Sequence, residues 1–321
     1  MPSANSTFTE LVTTTLREHP TMVADNVSGH NALYRKLKLK GRVETVDGGY
    51  EIVEPLDYAE NSTYTRYSGY DTLGIGASDV LSAAKYDWVQ AAVHVVASGR
   101  ELRINSGKNQ LIKLTKARIT NAMRTAANNM SVDLYSDGLL TNQMGGLAQM
   151  ITSDGTGTVG GIVAGTFTFW KNQFEEAAGT NAFTYATLKN DMNELWLRCN
   201  RGTDKPDLLV STHDFFATYW GGLQDLQRYA ESTSATTGFQ SLKFVTADVI
   251  FDSNTNFATT AQKMYFLNTD YLKLVVHQKA NWSQDDEKAS VNQDAVVIPI
   301  LWMGNLVCSN RSLQGLLLDA T

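Results

Sequence analysis

The chain has 321 residues, a length that suits two lobes. Hydrophobic residues make up 43% and charged residues 19%, a composition that allows a sizeable core and excludes wholesale disorder. A net charge of −6 and a pI near 5.4 exclude a free-standing basic DNA-binding module. The two cysteines, Cys199 and Cys308, show no C-x-x-C spacing, which argues against a disulfide framework or a thiolate zinc site.

The sequence shows no membrane or export signal. Its N-terminus lacks a basic segment followed by an apolar one, and the longest apolar runs, such as residues 296–303, are far shorter than the ~20 residues that span a bilayer. We therefore expect a soluble, cytoplasmic product with no membrane partner.

Residues 1–98 predict an arm followed by extended structure. Residues 1–40 contain two short helical segments with narrow apolar faces, which is typical of a segment that packs on another body. The sequence Asp47-Gly48-Gly49 lies between two alternating segments and predicts a β-hairpin, and residues 86–96 predict one long strand. An isolated hairpin is marginal in water, so we expect a partner to support this region.

The rest of the chain predicts a long helix, a mixed lobe and two long strands. Apolar residues at spacings of three and four predict a helix over 107–136. Residues 139–270 predict a separate α/β lobe with two shorter amphipathic helices. Two strands, 271–280 and 291–305, follow, and the charged loop 284–288 joins them.

Three motifs that suggest chemistry have structural explanations. The glycines at 155, 157 and 160 match G-x-G-x-x-G, but a strand-like segment follows where a dinucleotide site needs a helix. Asp252 opens a calcium-like loop that lacks Gly at its sixth position and Glu at its twelfth, which favours a polar turn. Ser211, His213 and Asp214 are neighbours in sequence and cannot form a relay. We predict no catalytic residue, no cofactor and no metal site.

Charge is distributed unevenly along the chain. Residues 100–124 carry seven basic side chains and one acid, whereas residues 43–98 carry nine acids and two bases. An acidic extended region and a basic long helix predict complementary surfaces. The alternative is that both are simply solvated faces.

The order of parts along the chain resembles that of a known protein family. The parts are an arm, an extended hairpin region, a long helix, an α/β lobe and returning strands. The stretches that support it are Asn31–Leu33, Gly48–Leu56, Tyr67–Leu73, Ala84–Trp88, Asp137–Gly138, Gly157–Ile162, Phe169–Gln173 and Gly304–Leu306. Together they resemble the major capsid proteins of tailed bacteriophages with the Hong Kong 97-type fold, over nearly the whole chain.

The resemblance implies an α+β fold with named domains. They are an N-terminal arm (1–40), an extended E-loop with its return strand (41–98), a peripheral P-domain with a spine helix (99–138), an axial A-domain (139–270), the P-domain long strands (271–305) and a C-terminal strand that returns to the A-domain (306–321).

The implied function is that of a coat protein, without catalytic activity. Pentamers and hexamers of the chain would form an icosahedral shell around double-stranded DNA, with a separate scaffolding protein, a portal protein, a possible decoration protein and non-specific contact with the packaged DNA. The virion capsid would be its location, after synthesis in the cytoplasm of a bacterial host. The main alternative is a tail-associated or surface adhesion module, and the third is an oxidoreductase that uses the glycine loop.

We expect the acidic E-loop to dock on a neighbouring copy's basic helix region through salt-sensitive contacts. The competing expectation is that the basic face meets DNA phosphates. The candidate inter-subunit residues are Glu51, Glu54, Asp57, Glu60, Arg66, Lys113, Lys116, Arg118, Asp285, Asp286 and Glu287.

Overall fold

The computed structural model describes residues 32–104, 108–177, 184–225, 242–252, 262–284, 288–289 and 293–319, without the side chains of 32, 102–104, 108–116, 225, 284, 288 and 289. The helices in these ranges are α1 (Ala32–Leu39), α2 (Gly99–Ile104), α3 (Lys108–Leu134), α4 (Leu147–Met150), α5 (Tyr185–Arg198) and α6 (His213–Asp225). Among these described helices, none has both the length and the apolar character needed to cross a membrane.

The strands in the same ranges are β1 (Val43–Val46), β2 (Ile52–Asp57), β3 (Leu81–Tyr86), β4 (Val89–Ser98), β5 (Thr158–Val159), β6 (Ile162–Val163), β7 (Gln173–Glu176), β8 (Leu208–Ser211), β9 (Leu242–Phe244), β10 (Ala247–Phe251), β11 (Lys263–Leu267), β12 (Leu272–Gln284), β13 (Lys288–Ala289), β14 (Ala295–Cys308) and β15 (Gly315–Leu318). One sheet has the order β1-β12-β14-β13, with β4 also paired to β14, and a second has the order β7-β15-β11-β8-β10-β9. The pairs β2-β3 and β5-β6 form two separate two-stranded sheets.

The chain divides into two compact units. The first contains Gln90–Ser131 and Lys279–Met303, and the second contains Asn31–Val89, Val132–Gln278 and Gly304–Thr321. In the first unit a small apolar cluster of Val95, Ala122 and Ile300 forms the core.

The long helix is confirmed, and it runs from Lys108 to Leu134. Its buried positions in the described part include Ala122, Ala126, Met130 and Leu134, which repeat every four residues. This spacing places the four side chains on one face of an α-helix. The apolar series of the sequence predicts the burial of Ala126, Met130 and Leu134, whereas Met123 of the same series is 41% exposed.

The six-stranded sheet forms the core of the second unit with helices α5 and α6. Helix α5 begins after Thr184, whose hydroxyl accepts from the Thr187 amide while the Thr187 hydroxyl accepts from the Thr184 amide at 2.9 Å. This reciprocal capping satisfies two amides that the helix itself leaves unpaired. The buried face of α5 packs into one cluster with residues of α6 and the sheet, among them Leu188, Met192, Leu195, Trp196, Phe215, Phe216, Val249 and Phe266.

The predicted hairpin at Asp47-Gly48-Gly49 is wrong. Strand β1 pairs in parallel with β12, with Val43 opposite Leu274, and β2 pairs with β3 instead of β1. Gly48 and Gly49 have φ of 139° and 141°, far from the values of a tight two-residue hairpin turn. The local turn signal does not decide the pairing of β1. Strand β1 pairs instead with β12, whose Leu274, Val275 and Val276 are buried.

The strand predicted over 86–96 is interrupted. Strand β3 ends at Tyr86 and β4 begins at Val89. Between them the Asp87 carbonyl accepts from the Asn305 side-chain amide at 2.9 Å, and the Trp88 indole N–H donates to the Gly49 carbonyl at 3.0 Å. These bonds hold the break in place, so the apolar run contains two strands that belong to different sheets.

Candidate assembly surface

The strands β2 and β3 pair with each other and join the two ends of a long connection. We call this strand pair the arm base, which is distinct from the N-terminal arm. Ile52 lies opposite Tyr86 and Asp57 lies opposite Leu81, which leaves residues 58–80 as the connection between the strands. The Tyr86 hydroxyl donates to the Cys308 carbonyl at 2.8 Å and accepts from the Cys308 amide at 3.3 Å. Burial raises the pKa of Tyr86 well above its ordinary value, so this phenol remains neutral and anchors the base of the arm.

The connection 58–80 exposes large side chains. Tyr64 is 79% exposed, Tyr67 66%, Tyr70 107% and Ile75 96%. Most residues of the connection are exposed, and its side chains form hydrogen bonds within the connection itself, such as the one from the Ser68 amide to Asp71. A segment that buries so little of its own apolar surface has the properties of an interaction surface. We call residues 58–80 the arm tip.

Two of the predicted acidic residues at the arm base have partners within the chain. The Lys85 ammonium lies 3.5 Å from a Glu51 carboxylate oxygen. Glu54 is half-buried and accepts from Lys273 at 2.9 Å, and Glu44 lies 3.6 Å from the same ammonium. The hydrogen bond to Glu54 is the main cause that raises the pKa of Lys273. Glu51 and Glu54 therefore have part of their charge neutralised inside the subunit.

Asp57, Glu60 and Arg66 differ from these acids. All three are exposed, and the described residues offer them no ion-pair partner. Because they lie at or beside the arm tip, they are the predicted charges of this region that remain available to a second molecule.

The basic helix region is described only in part. The Arg118 guanidinium donates to Glu101 at 2.7 Å and to the Val96 carbonyl. The hydrogen bond from Arg118 is the main cause that lowers the pKa of Glu101. Burial opposes this shift, and the hydrogen bonds with Ser98 and the charge of Arg118 add to it. The side chains of Lys113 and Lys116 lie outside the described residues, and so do residues 285–287 with the acids Asp285, Asp286 and Glu287.

Sequence reasoning missed an aromatic group beside the arm. The Tyr58 ring stacks on Phe169 with centroids 5.3 Å apart, and Phe167 packs edge-on against Phe169 at 6.1 Å. Phe167 is 48% exposed and Val163 44%. The only sign of this group in the sequence is the alternation Phe167-x-Phe169, which is also typical of an ordinary strand. The contact with Tyr58 is seen only in the fold.

The glycine loop forms a hairpin, which confirms the structural explanation of the G-x-G-x-x-G motif. Strands β5 and β6 pair antiparallel around Gly160 and Gly161, whose φ values are 60° and 75°. A two-residue turn with positive φ at both positions is of the type I′ class that glycine favours. The segment Ile162–Val163 that follows is a strand, so no helix N-terminus faces the glycines.

The side chains of the other chemical motifs are described only in part, because residues 253–261 of the calcium-like loop lie outside the described residues. Ser211 is buried, and its hydroxyl donates to the Ile250 carbonyl at 3.4 Å. His213 and Asp214 are exposed, with 3.0 Å between the His213 Nδ1 and a carboxylate oxygen of Asp214. Asp252 accepts from the Tyr135 hydroxyl at 2.8 Å. In the described part of the chain no group of three His, Cys, Asp or Glu residues could hold a metal ion.

Both cysteines are buried free thiols. Burial raises the pKa of Cys199 and of Cys308 to about 12, so neither is a thiolate at neutral pH. Their environment is that of small core residues.

No family model and no curated protein matches the sequence. Solved structures do match. The capsid asymmetric unit of cyanophage A-1(L) superposes with a TM-score of 0.68 at 14% identity, over 94% of this chain and 95% of that one. The chain has the Hong Kong 97-type capsid fold.

Other structures with this capsid fold also match over most of their length. The capsid of Myoviridae phage XM1 has a TM-score of 0.55 at 12% identity, over 88% of this chain and 92% of that one. The SrpI encapsulin of Synechococcus elongatus PCC 7942 has a TM-score of 0.57 at 8% identity, over 92% and 91%. The mixed α and β fold expected from the resemblance is thus confirmed.

Proposed function

We propose that the chain is the major capsid protein of a tailed bacteriophage, in which pentamers and hexamers form an icosahedral shell around double-stranded DNA. The observation that supports it best is the match to a phage capsid subunit over 94% of this chain and 95% of that one. A match of this extent leaves little of the chain for another function. A separate scaffolding protein, a portal protein and a decoration protein are part of the proposal as partners.

The domain assignments follow from this proposal. Helix α3 corresponds to the spine helix of a P-domain (99–138), and strands β12 and β14 correspond to its long strands (271–305). The arm base and arm tip correspond to the E-loop (41–98). The six-stranded sheet corresponds mainly to the A-domain (139–270), with β15 as the C-terminal strand that returns to it (306–321). Residues 1–40 form the N-terminal arm, of which 1–31 lie outside the described range.

We infer that the arm tip lies on a neighbouring subunit. Its exposed aromatic and aliphatic side chains have no described cover within the chain, and a two-stranded ladder alone supplies little stability. Burial of such side chains is worth about 25 cal/mol per Å² of apolar area, so contact with a second copy would stabilise both the arm and the shell.

We also propose that the arm docks electrostatically, but through fewer acids than the sequence predicts, because Glu51 and Glu54 have partners inside the chain. Asp57 and Glu60 supply the acidic side, and Lys113, Lys116 and Arg118 of a neighbouring copy supply the basic side. Arg118 already pairs with Glu101, so the two lysines would carry most of the attraction. The competing role for these bases is contact with DNA phosphates.

The triple reversal Lys113→Glu, Lys116→Glu and Arg118→Glu separates the two roles of the bases. Docking through these bases predicts that empty shells fail to assemble at low salt. Normal assembly of empty shells would contradict docking, and DNA packaging would then be the step that needs the bases.

The arm is tested by the variant Tyr67→Ser, Tyr70→Ser and Ile75→Ser. We expect electron microscopy and light scattering of this variant to show a 35.3 kDa species where the native chain, given its scaffolding partner, forms capsomers or shells. The matched control Tyr67→Phe, Tyr70→Phe and Ile75→Val keeps the apolar area and should assemble. Equal assembly of both variants would contradict the role of the arm, and phage particles that lack this chain would contradict the capsid function.

A second candidate is a shell of the same fold that holds no DNA, which the similarity to the SrpI encapsulin favours. Nuclease-treated particles from the producing culture distinguish the two functions. Phage capsids protect DNA of genome length, and a DNA-free shell protects none. The adhesion module considered from the sequence is not supported, because the 27-residue helix α3 does not suit an array of short strands.

A further inference from the structure

Helix α1 and the residues after it carry three cations, each of which pairs with a different carboxylate. Lys36 binds Asp248, Lys40 binds Asp207 and Arg42 binds Asp270. We call residues 32–42 the strap and these three aspartates the acidic rim. One short segment thus meets three separate acids of the same compact unit.

The acidic rim lies at one end of the six-stranded sheet. Asp207 precedes β8, and Asp248 lies in β10, which runs parallel to β8 with Asp248 opposite Leu208. Asp270 follows β11, which runs antiparallel to β8. Because the start of two parallel strands meets the end of an antiparallel one, the fold collects the three acids at the same sheet end.

Two of the acids also have partners outside the strap, and the third is exposed. Asp207 accepts from the Thr269 amide at 2.9 Å and from its hydroxyl at 2.7 Å. Asp248 also pairs with Lys243 at 2.5 Å. The Asp270 side chain is 64% exposed, so water can solvate it. Departure of the strap would therefore leave none of the rim carboxylates buried without a partner, which lowers the cost of release.

The strap has little stability of its own. Helix α1 has eight residues, and isolated helices shorter than about 12 residues are marginal in water. Leu33 and Leu37 are its buried apolar anchors. The side chains of its three cations are 22% to 33% exposed, and those of the acids range from 10% at Asp248 to 64% at Asp270. Salt therefore screens the Arg42–Asp270 pair most and the Lys36–Asp248 pair least.

Gly41 ends helix α1 within the strap. Its φ is 67°, a conformation that favours glycine, and a Cβ at this position would meet no atom within 4 Å. The Arg42 amide donates to the Leu37 carbonyl at 2.8 Å, which closes the helix end. A residue with a Cβ would be strained at this φ, so Gly41 fixes where the helix of the strap ends.

We propose that residues 32–42 form a releasable strap that the acidic rim holds by ionic attraction, so that raised salt frees it while the six-stranded sheet stays folded. The partner of the acidic rim is chemically defined as a short basic helix, and in this structure the chain's own segment supplies it. The strap does not depend on the proposed shell function, because both of its halves belong to one subunit.

Limited trypsin digestion of the purified, unassembled chain tests the strap. Mass spectrometry follows cleavage after residues 36–42, normalised to cleavage of a free peptide of the same sequence. We expect an increase of about tenfold between about 0.05 M and 0.5 M salt, because exposed ion pairs are screened over this range. The variant Asp207→Asn with Asp248→Asn should be cleaved about tenfold faster at low salt, whereas the control Asp57→Asn with Asp79→Asn should match the native rate.

A charge reversal at the exposed end keeps the test informative if the first variant folds poorly. Arg42→Asp alone should speed cleavage after residues 36–40, and addition of Asp270→Arg should restore protection. Two results would overturn the proposal. One is equal cleavage of the single and double variants, and the other is cleavage that rises only when the tryptophan fluorescence shows that the whole unit unfolds.

Discussion

Two adjacent glycines after helix α3 allow a sharp test of the packing at its end. A Cβ at Gly146 would fall on three backbone atoms, which are the Asp133 carbonyl oxygen, the Ser136 amide nitrogen and the Leu134 carbonyl oxygen, the last at 2.6 Å. A Cβ at Gly145 would meet the side chain of Gln149 and no backbone atom within its nearest contacts. A flexible side chain can rotate away, whereas helix backbone cannot.

The expected cost of Gly146→Ala follows from what must move. Separation of the connection from the helix end weakens the bond from the Gln149 amide to the Ser136 carbonyl at 3.3 Å and the bond from the Ser136 hydroxyl to the Met144 carbonyl at 2.5 Å. Each is worth about 1 kcal/mol, and overpacking adds about 1 to 3 kcal/mol. The sum of about 3 to 5 kcal/mol lowers Tm by about 6 to 20 °C in a unit of this size.

Differential scanning calorimetry of the two alanine variants measures the difference. Gly146→Ala should unfold well below the native chain, and Gly145→Ala should stay within about 2 °C of it, because a rotated Gln149 costs less than 1 kcal/mol on the scale of surface substitutions. If both variants unfold at the same temperature, the close approach of the connection to the helix end is wrong.

Two further predictions concern helix α6 and the basic helix region. Gly221→Ala should raise the urea midpoint, because its Cβ meets nothing within 4 Å and Ala gains about 0.5 to 1 kcal/mol in a helix. Gly222→Ala should lower the midpoint, because its Cβ falls on the Tyr185 ring; shifts of the same sign would contradict this packing. The lowered pKa of Glu101 means that its bond to Arg118 stabilises above pH about 4.5 and is lost as pH falls through the folded-state value. Glu101→Gln should therefore flatten the loss of Tm below pH 4.5, and an unchanged slope would contradict it.

Sequence reasoning succeeded where the structure depends on local periodicity. The repeat that ends in Met130 and Leu134 requires one buried helical face, and helix α3 has it. The same holds for Leu188 and Met192 of α5. These elements bury a stripe of side chains that local sequence already contains, so no distant residue was needed to predict them.

It failed where a distant strand decides the pairing. The D-G-G signal predicts a hairpin, but Val43 pairs with Leu274, which no local pattern reveals. The candidate site shows the same limit, because Glu54 was predicted to face a neighbour while its nearest cation, Lys273, lies 219 positions away in the chain. The sequence pattern indicates that a strand or a charged side chain needs a partner. Only the fold shows which distant residue is that partner.

The burial of both cysteines makes the chain suitable for fluorescent labelling without prior removal of its own thiols. With thiol pKa values of about 12, only about one thiol in 10⁵ is ionised at neutral pH, so maleimide dyes react with Cys199 and Cys308 very slowly. A new cysteine at the exposed Thr72 of the arm tip has an ordinary pKa and reacts first. Donor- and acceptor-labelled Thr72→Cys subunits would then report the exchange of copies in real time by energy transfer, in a chain whose core is still native.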